Sequence, residues 1–91
     1  MYRIEFTNEM KRNAKLMRKR GKDMAKLTTV LDLLSKGDPL PQQYRDHQLT
    51  GSLRDFRECH IEPDWLLVYE INNNVLVLML YRLGSHSELF K

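Results

Sequence analysis

Cysteine is almost missing from this chain, with Cys59 its one thiol. No intrachain disulfide can form, and nothing points to an oxidising compartment. Long apolar runs are missing too, since none approaches the ~18–20 residues of a membrane span. The opening "MYRIEFTNEMKR" lacks the basic-then-apolar layout of a secretory signal. These absences lead to the expectation of a cytoplasmic protein without a membrane partner. No internal repeat, linker or low-complexity stretch interrupts the 91 residues, so residues 1–91 are expected to form a single domain. Neither a C-x-x-C nor an H-x₃₋₅-H spacing exists, which argues against zinc, and no metal or other cofactor is expected.

What is present is ordinary for a globular domain, at 42% hydrophobic and 30% charged residues. The net charge of +3 is unevenly spread. Residues 1–36 hold ten Lys/Arg against Glu5, Glu9, Asp23 and Asp32, a local net of +6. Residues 37–91 hold five Lys/Arg against eight acids, a net of −3. A basic half suits a polyanion or an acidic protein partner, and it equally suits a solvated helix face.

"YRIEFT" alternates Tyr2, Ile4 and Phe6 with charged residues, the period of a strand with one buried face. Thr7 or Asn8 is placed to cap a helix over 8–20, whose apolar stripe is Met10, Ala14 and Met17. Gly21 stops that helix and Asp23 caps a second over 23–36, with Met24, Leu27, Val30, Leu31 and Leu34 at spacings of three and four. Gly37 and Pro39 end it. The segment 37–52 shows turn residues and no periodicity, and loops of that length are often functional. Strand-like runs follow at 53–59, 65–71 and 75–82, the last two joined by an asparagine turn. Their nearly continuous apolar character predicts that both sheet faces are covered. The expected class is α+β: a mostly antiparallel sheet of four to five strands with an N-terminal helical hairpin packed on one face.

The chain has three histidines: His47 in the long loop, His60 at the end of a strand and His86 after the last strand. Antiparallel neighbours bring His60, Asp64 and His86 to one edge of the sheet, and the loop with His47 is long enough to fold back. Imidazoles exchange protons near neutral pH, and an adjacent carboxylate orients them. Arg57 and Arg82 are candidates to hold a phosphate. Together these are the parts needed to cleave RNA by attack of its own 2′-hydroxyl. Taken singly, each histidine also reads as a surface or turn residue, and Cys59 reads as a small buried apolar side chain.

The blocks "DHQLTGSLRDFRECHIEPDWLLVYEI" and "YRLGSHSELF" carry a more specific pattern. It runs D-H-x-L-x-G, then R-x-x-H-x-x-P-D with an apolar strand, then R-x-G-[ST]-H-x-x-L-F. This closely resembles the YafQ-like toxins of bacterial type II toxin–antitoxin systems, within the RelE/ParE superfamily, over essentially the whole chain. The resemblance implies a RelE-like fold and a ribosome-dependent mRNA interferase that cuts codons in the A site without a metal. It implies a ribbon-helix-helix antitoxin of the DinJ-like kind as partner, with operator DNA reached only through that antitoxin. The family's functional positions fall on His47, His60, Asp64, His86 and Phe90, with Phe90 stacking on a nucleobase, and its arginines look like Arg57 and Arg82. On this reading His86 is the general acid, Asp64 or His47 the base, and His60 holds phosphate or assists. Relatives of the ParE branch poison gyrase and lack this histidine set. A non-catalytic, protein-binding inhibitor of that type is the alternative.

Overall fold

The computed structural model describes residues 2–72 and 77–85. Strand β1 (Arg3–Phe6) leads into helix α1 (Asn8–Lys19) and helix α2 (Met24–Lys36). A short 3₁₀ turn at Gln42–Tyr44, strand β2 (His47–Gln48) and a second 3₁₀ turn at Gly51–Leu53 follow. Strands β3 (Arg57–Glu62), β4 (Trp65–Asn72) and β5 (Val77–Gly84) complete the described chain. The five-stranded sheet has the order β1-β5-β4-β3-β2, with β1 parallel to β5 and the other neighbours antiparallel.

The helices end where local chemistry stops them. Thr7 Oγ1 accepts the Met10 amide at 3.0 Å, and Asp23 Oδ1 accepts the Ala25 amide at 3.1 Å, satisfying first-turn donors of α1 and α2. Gly37 closes α2 at φ +77°, a left-handed conformation that costs other residues a backbone clash. The Tyr2 amide donates to Ser35 O at 2.6 Å, tying the start of the chain to the end of α2.

One core lies between helices and sheet. Met10 and Met17 of α1, and Leu27, Val30 and Leu34 of α2, meet Cys59, Ile61, Trp65, Leu67, Tyr69, Leu80 and Leu83. Of the helical stripes read from the sequence, Met10, Met17, Leu27, Val30 and Leu34 are buried, and Ala14, Met24 and Leu31 pack partly buried against them. The intervening β4 residues Leu66 and Val68 face the other way, where Leu49 and Phe56 cover them. Both faces of β4 are therefore covered, as its continuous apolar run predicts.

Three expectations need correction. The strand expected from residue 53 begins at Arg57, because Gly51 (φ +66°) starts a 3₁₀ turn that swings Phe56 onto Leu66 and Val68. The loop 37–52 is not without structure, since it holds a 3₁₀ turn and the edge strand β2. Phe6, expected on the buried face with Tyr2 and Ile4, stays 44% exposed at the end of an edge strand.

Leu67 has no exposed surface and sits in the helix-side core. Leu67→Ala is expected to cost about 2–5 kcal/mol by chemical denaturation, from lost burial plus the cavity left behind. A loss below about 1 kcal/mol would show that the site collapses freely and is not close-packed.

Candidate active site

Strand alternation sorts the polar residues of β3 onto two faces. Cys59 and Ile61 enter the helix-side core, so Glu58 and His60 point to the opposite face. Strand β2 pairs His47 with Glu58 and Gln48 with Arg57, which brings the loop histidine back against β3. The two imidazoles come together, with ring centroids 6.3 Å apart. His47 and His60, 13 residues apart in sequence, form one cluster.

Between them lies Glu58, which sequence reasoning missed. It is 4% exposed, and its Oε1 sits 3.4 Å from His47 Nε2 and 3.7 Å from His60 Nε2. Its Oε2 is buried without a hydrogen-bond partner among the described residues. A buried carboxylate is costly unless paired, and the two imidazoles are the groups placed to pair with this one. The available signal was the i, i+2 spacing of Glu58 and His60 on a strand.

The other ring nitrogens are anchored by backbone. His47 Nδ1 donates to Arg45 O at 2.6 Å, and His60 Nδ1 donates to Pro63 O at 3.3 Å. Both Nε2 atoms are thereby left for proton exchange beside Glu58. His47 is about half exposed, whereas the side chain of His60 is 18% exposed. Substrate therefore has readier access to His47.

Asp64 lies in the exposed turn between β3 and β4, immediately beyond His60 and Pro63. Arg82 belongs to a row that crosses the sheet, in which His47 pairs with Glu58, Glu58 with Val68 and Val68 with Arg82. With neighbouring strands ≈ 4.7–4.9 Å apart, its backbone is roughly 10 Å from that of Glu58. Its Nε lies 3.2 Å from Glu9 Oε1 in the first turn of α1. Arg57 alternates to the opposite face from Glu58 and His60, and its Nε lies 3.3 Å from Asp46 Oδ1. It is thus turned away from the histidine pair. His86 and Phe90 lie outside the described residues, and the last strand position, Gly84, pairs with Leu66, itself paired with His60.

Other groups brace this region. Glu62 receives Lys26 Nζ at 2.8 Å and Lys22 Nζ at 3.2 Å, joining α2 to the end of β3, and those bonds hold its carboxyl below the ordinary range. Lys22 also lies 5.7 Å from the centroid of the buried Trp65 ring. Tyr69 OH donates to Asp46 Oδ1 at 2.5 Å. Burial first, and that bond second, push the Tyr69 phenol well above its ordinary value. Burial likewise pushes the Cys59 thiol up, helped by the negative charges of Asp46 and Glu58. Among the described residues, no group of three or more His, Cys, Asp or Glu side chains is arranged to hold a metal ion.

Comparison with known proteins identifies the family and the fold. Residues 2–91 match the family model for the bacterial toxin of type II toxin–antitoxin system, YafQ. The chain is 41% identical over 88 residues to the mRNA interferase toxin YafQ of Escherichia coli K12, covering 96% of this chain and 94% of that protein. A metal-bound toxin from Helicobacter pylori superposes with a TM-score of 0.93 at 47% identity, over 99% of this chain and all of that one. The E. coli DinJ–YafQ complex gives a TM-score of 0.90 at 38% identity over the full length of both chains.

The raised values of Cys59 and Tyr69 set an alkaline limit. A group whose pKa is higher in the folded state stabilises the fold below its ordinary pKa, and that contribution is lost as pH rises above it. The ordinary values are about 8.5 for a thiol and 10 for a phenol. Stability is therefore expected to fall from about pH 8.5 upward, by as much as ~1.4 kcal/mol per pH unit for each group titrating. Cys59→Ala should flatten the first part of that decline in urea denaturation measured from pH 7.5 to 10. A wild-type stability that stays level across this range would contradict the assignment.

Proposed function

Because the chain belongs to the YafQ family of type II toxins, we propose that it is an mRNA interferase that cuts messages in the ribosomal A site by acid–base catalysis. The observation that carries this reading is the pair of backbone-anchored imidazoles converging on one buried carboxylate.

His47 Nε2 removes the proton of the 2′-hydroxyl next to the scissile phosphate. The imidazolium so formed is stabilised by Glu58, which is too buried to meet the substrate itself. The 2′-oxygen attacks phosphorus, giving a pentavalent phosphorane whose charge Arg82 and His60 offset. The bond to the 5′-oxygen then breaks, and His86 supplies the proton that this leaving group needs. Asp64, next to His60 in the turn, orients the 60–64 segment or shares the base's role. Phe90 stacks on a nucleobase. Arg57, facing Asp46, serves the framework and not the phosphate. The toxin from H. pylori was solved with a metal bound, whereas the acid–base steps proposed for this chain use its own side chains.

The partner is a DinJ-like antitoxin, in keeping with the solved complex of the E. coli relative. Helix α1 offers it a basic, partly apolar surface. A groove of about 330 Å³ is lined by Phe6, Lys11, Ala14, Lys15, Arg18 and Met24, and Leu16 stands 40% exposed nearby. An acidic amphipathic segment fits this surface by charge and by apolar contact, and its exposed ion pairs would weaken as added salt shortens the screening length from the ~8–10 Å of physiological ionic strength. Such a complex silences the toxin and carries it to operator DNA only through the antitoxin.

Primer extension on an mRNA translated in the presence of the purified protein should show discrete 3′ ends at particular codons, unchanged in excess EDTA. His47→Gln and His86→Gln should each slow cleavage by about 10²–10⁴-fold, or ~3–5 kcal/mol of barrier, with melting temperature retained. Intact message with the wild-type protein, or wild-type rates from both variants, would overturn the proposal.

A further inference from the structure

Strand β2 is two residues long and lies at the sheet edge, so its ladder alone fixes His47 weakly. Yet the His47 ring is held in one orientation, with Nδ1 on the Arg45 carbonyl and Nε2 toward Glu58. Arg45 reaches that pose by adopting φ +48°, the one positive φ outside glycine among the described residues. A left-handed arginine persists only where its surroundings over-determine it. Asp46 supplies the constraint. Its Oδ1 accepts Tyr69 OH at 2.5 Å and Arg57 Nε at 3.3 Å. Tyr69 has no exposed surface, belongs to the helix-side core and pairs across the ladder with Arg57.

We propose that Asp46 and Tyr69 are positioning residues for His47, forming a clamp that reaches through the sheet edge from the core face to the reaction face. Asp46 and His47 are consecutive and point to opposite faces, so pinning one side chain on Tyr69 fixes where the other can aim. The clamp also fixes the Arg45 carbonyl, and through it the proton on His47 Nδ1. The nitrogen facing Glu58 is then the basic one before substrate arrives. This resembles the logic by which a hydrogen-bonded carboxylate or carbonyl selects a catalytic tautomer. Tyr69 touches neither the substrate nor His47 itself. It acts through Asp46 and the backbone of residues 45–47.

The inference rests on the acid–base reading above, and the test separates the two. Tyr69→Phe keeps the ring in the core and removes only the donor to Asp46. In ribosomes translating a defined mRNA, cleavage by Tyr69→Phe should fall by about 10²-fold through the maximal rate, the scale set by a small misplacement of a catalytic group. The protein concentration giving half-maximal cleavage should stay unchanged. In a His47→Gln background the same change should cost nothing further, and nitrogen-15 spectra should show His47 losing its single Nδ1-protonated form. Asp46→Asn, which retains an acceptor for Tyr69, should keep more activity than Asp46→Ala and lies in a loop, so it serves if Tyr69→Phe folds poorly. The inference is overturned if Tyr69→Phe and Asp46→Ala both cleave at the wild-type rate. Equal losses with and without His47 would overturn it as well. If His47→Gln alone is fully active, the acid–base reading falls, while an unchanged His47 tautomer in Tyr69→Phe remains the result that would sink the clamp.

Discussion

Strand β4 is buried on both faces, and the arrangement of everything else follows from that constraint. Trp65, Leu67 and Tyr69 need cover on one side, and the methionine and leucine stripes of α1 and α2 supply it. Leu66 and Val68 need cover on the other, and no helix among the described residues provides it. Leu49 and Phe56 do so instead. The segment that brings them includes β2, so the demand to cover two β4 side chains also delivers His47 to the edge of β3. Hydrophobic burial and placement of a candidate catalytic group are thus met by the same stretch of chain.

The second face differs from the core in kind. It holds a carboxylate between two imidazoles, with Val68 separating Glu58 from Arg82 along the ladder and Leu66, Leu49 and Phe56 completing a small apolar patch. Such an arrangement is costly to stability, because Glu58 is withdrawn from water with incomplete pairing. Its cost is intelligible if the site must favour a positive charge that appears during reaction. A carboxylate fixed beside an imidazole does this without reorganising at the moment of proton transfer.

Much of this was legible in the sequence, for identifiable reasons. Thr7, Gly21, Asp23 and Gly37 punctuate the helices, and each acts through bonds to its own neighbours, so short-range reading suffices. The apolar run of β4 announced its double burial. The meeting of His47 with His60 was expected only as a possibility of loop length, because a two-residue edge strand leaves no periodicity to read. Glu58 stayed hidden among the charges of "RECHIE", where one acid looks like any other until burial is known. The bond between Asp46 and Tyr69 spans 23 residues and joins a loop to a core strand, and only the tertiary fold reveals it.

The central claim is that the charge of Glu58, buried between His47 and His60, drives proton transfer on the reaction face. Glu58→Gln tests it most directly, since the amide keeps the shape and removes the charge. Single-turnover cleavage of a ribosome-bound message should drop by about 10²-fold or more. Thermal stability should be held or raised, because a buried, incompletely paired carboxylate has been neutralised. Wild-type cleavage by a folded Glu58→Gln protein would contradict the claim.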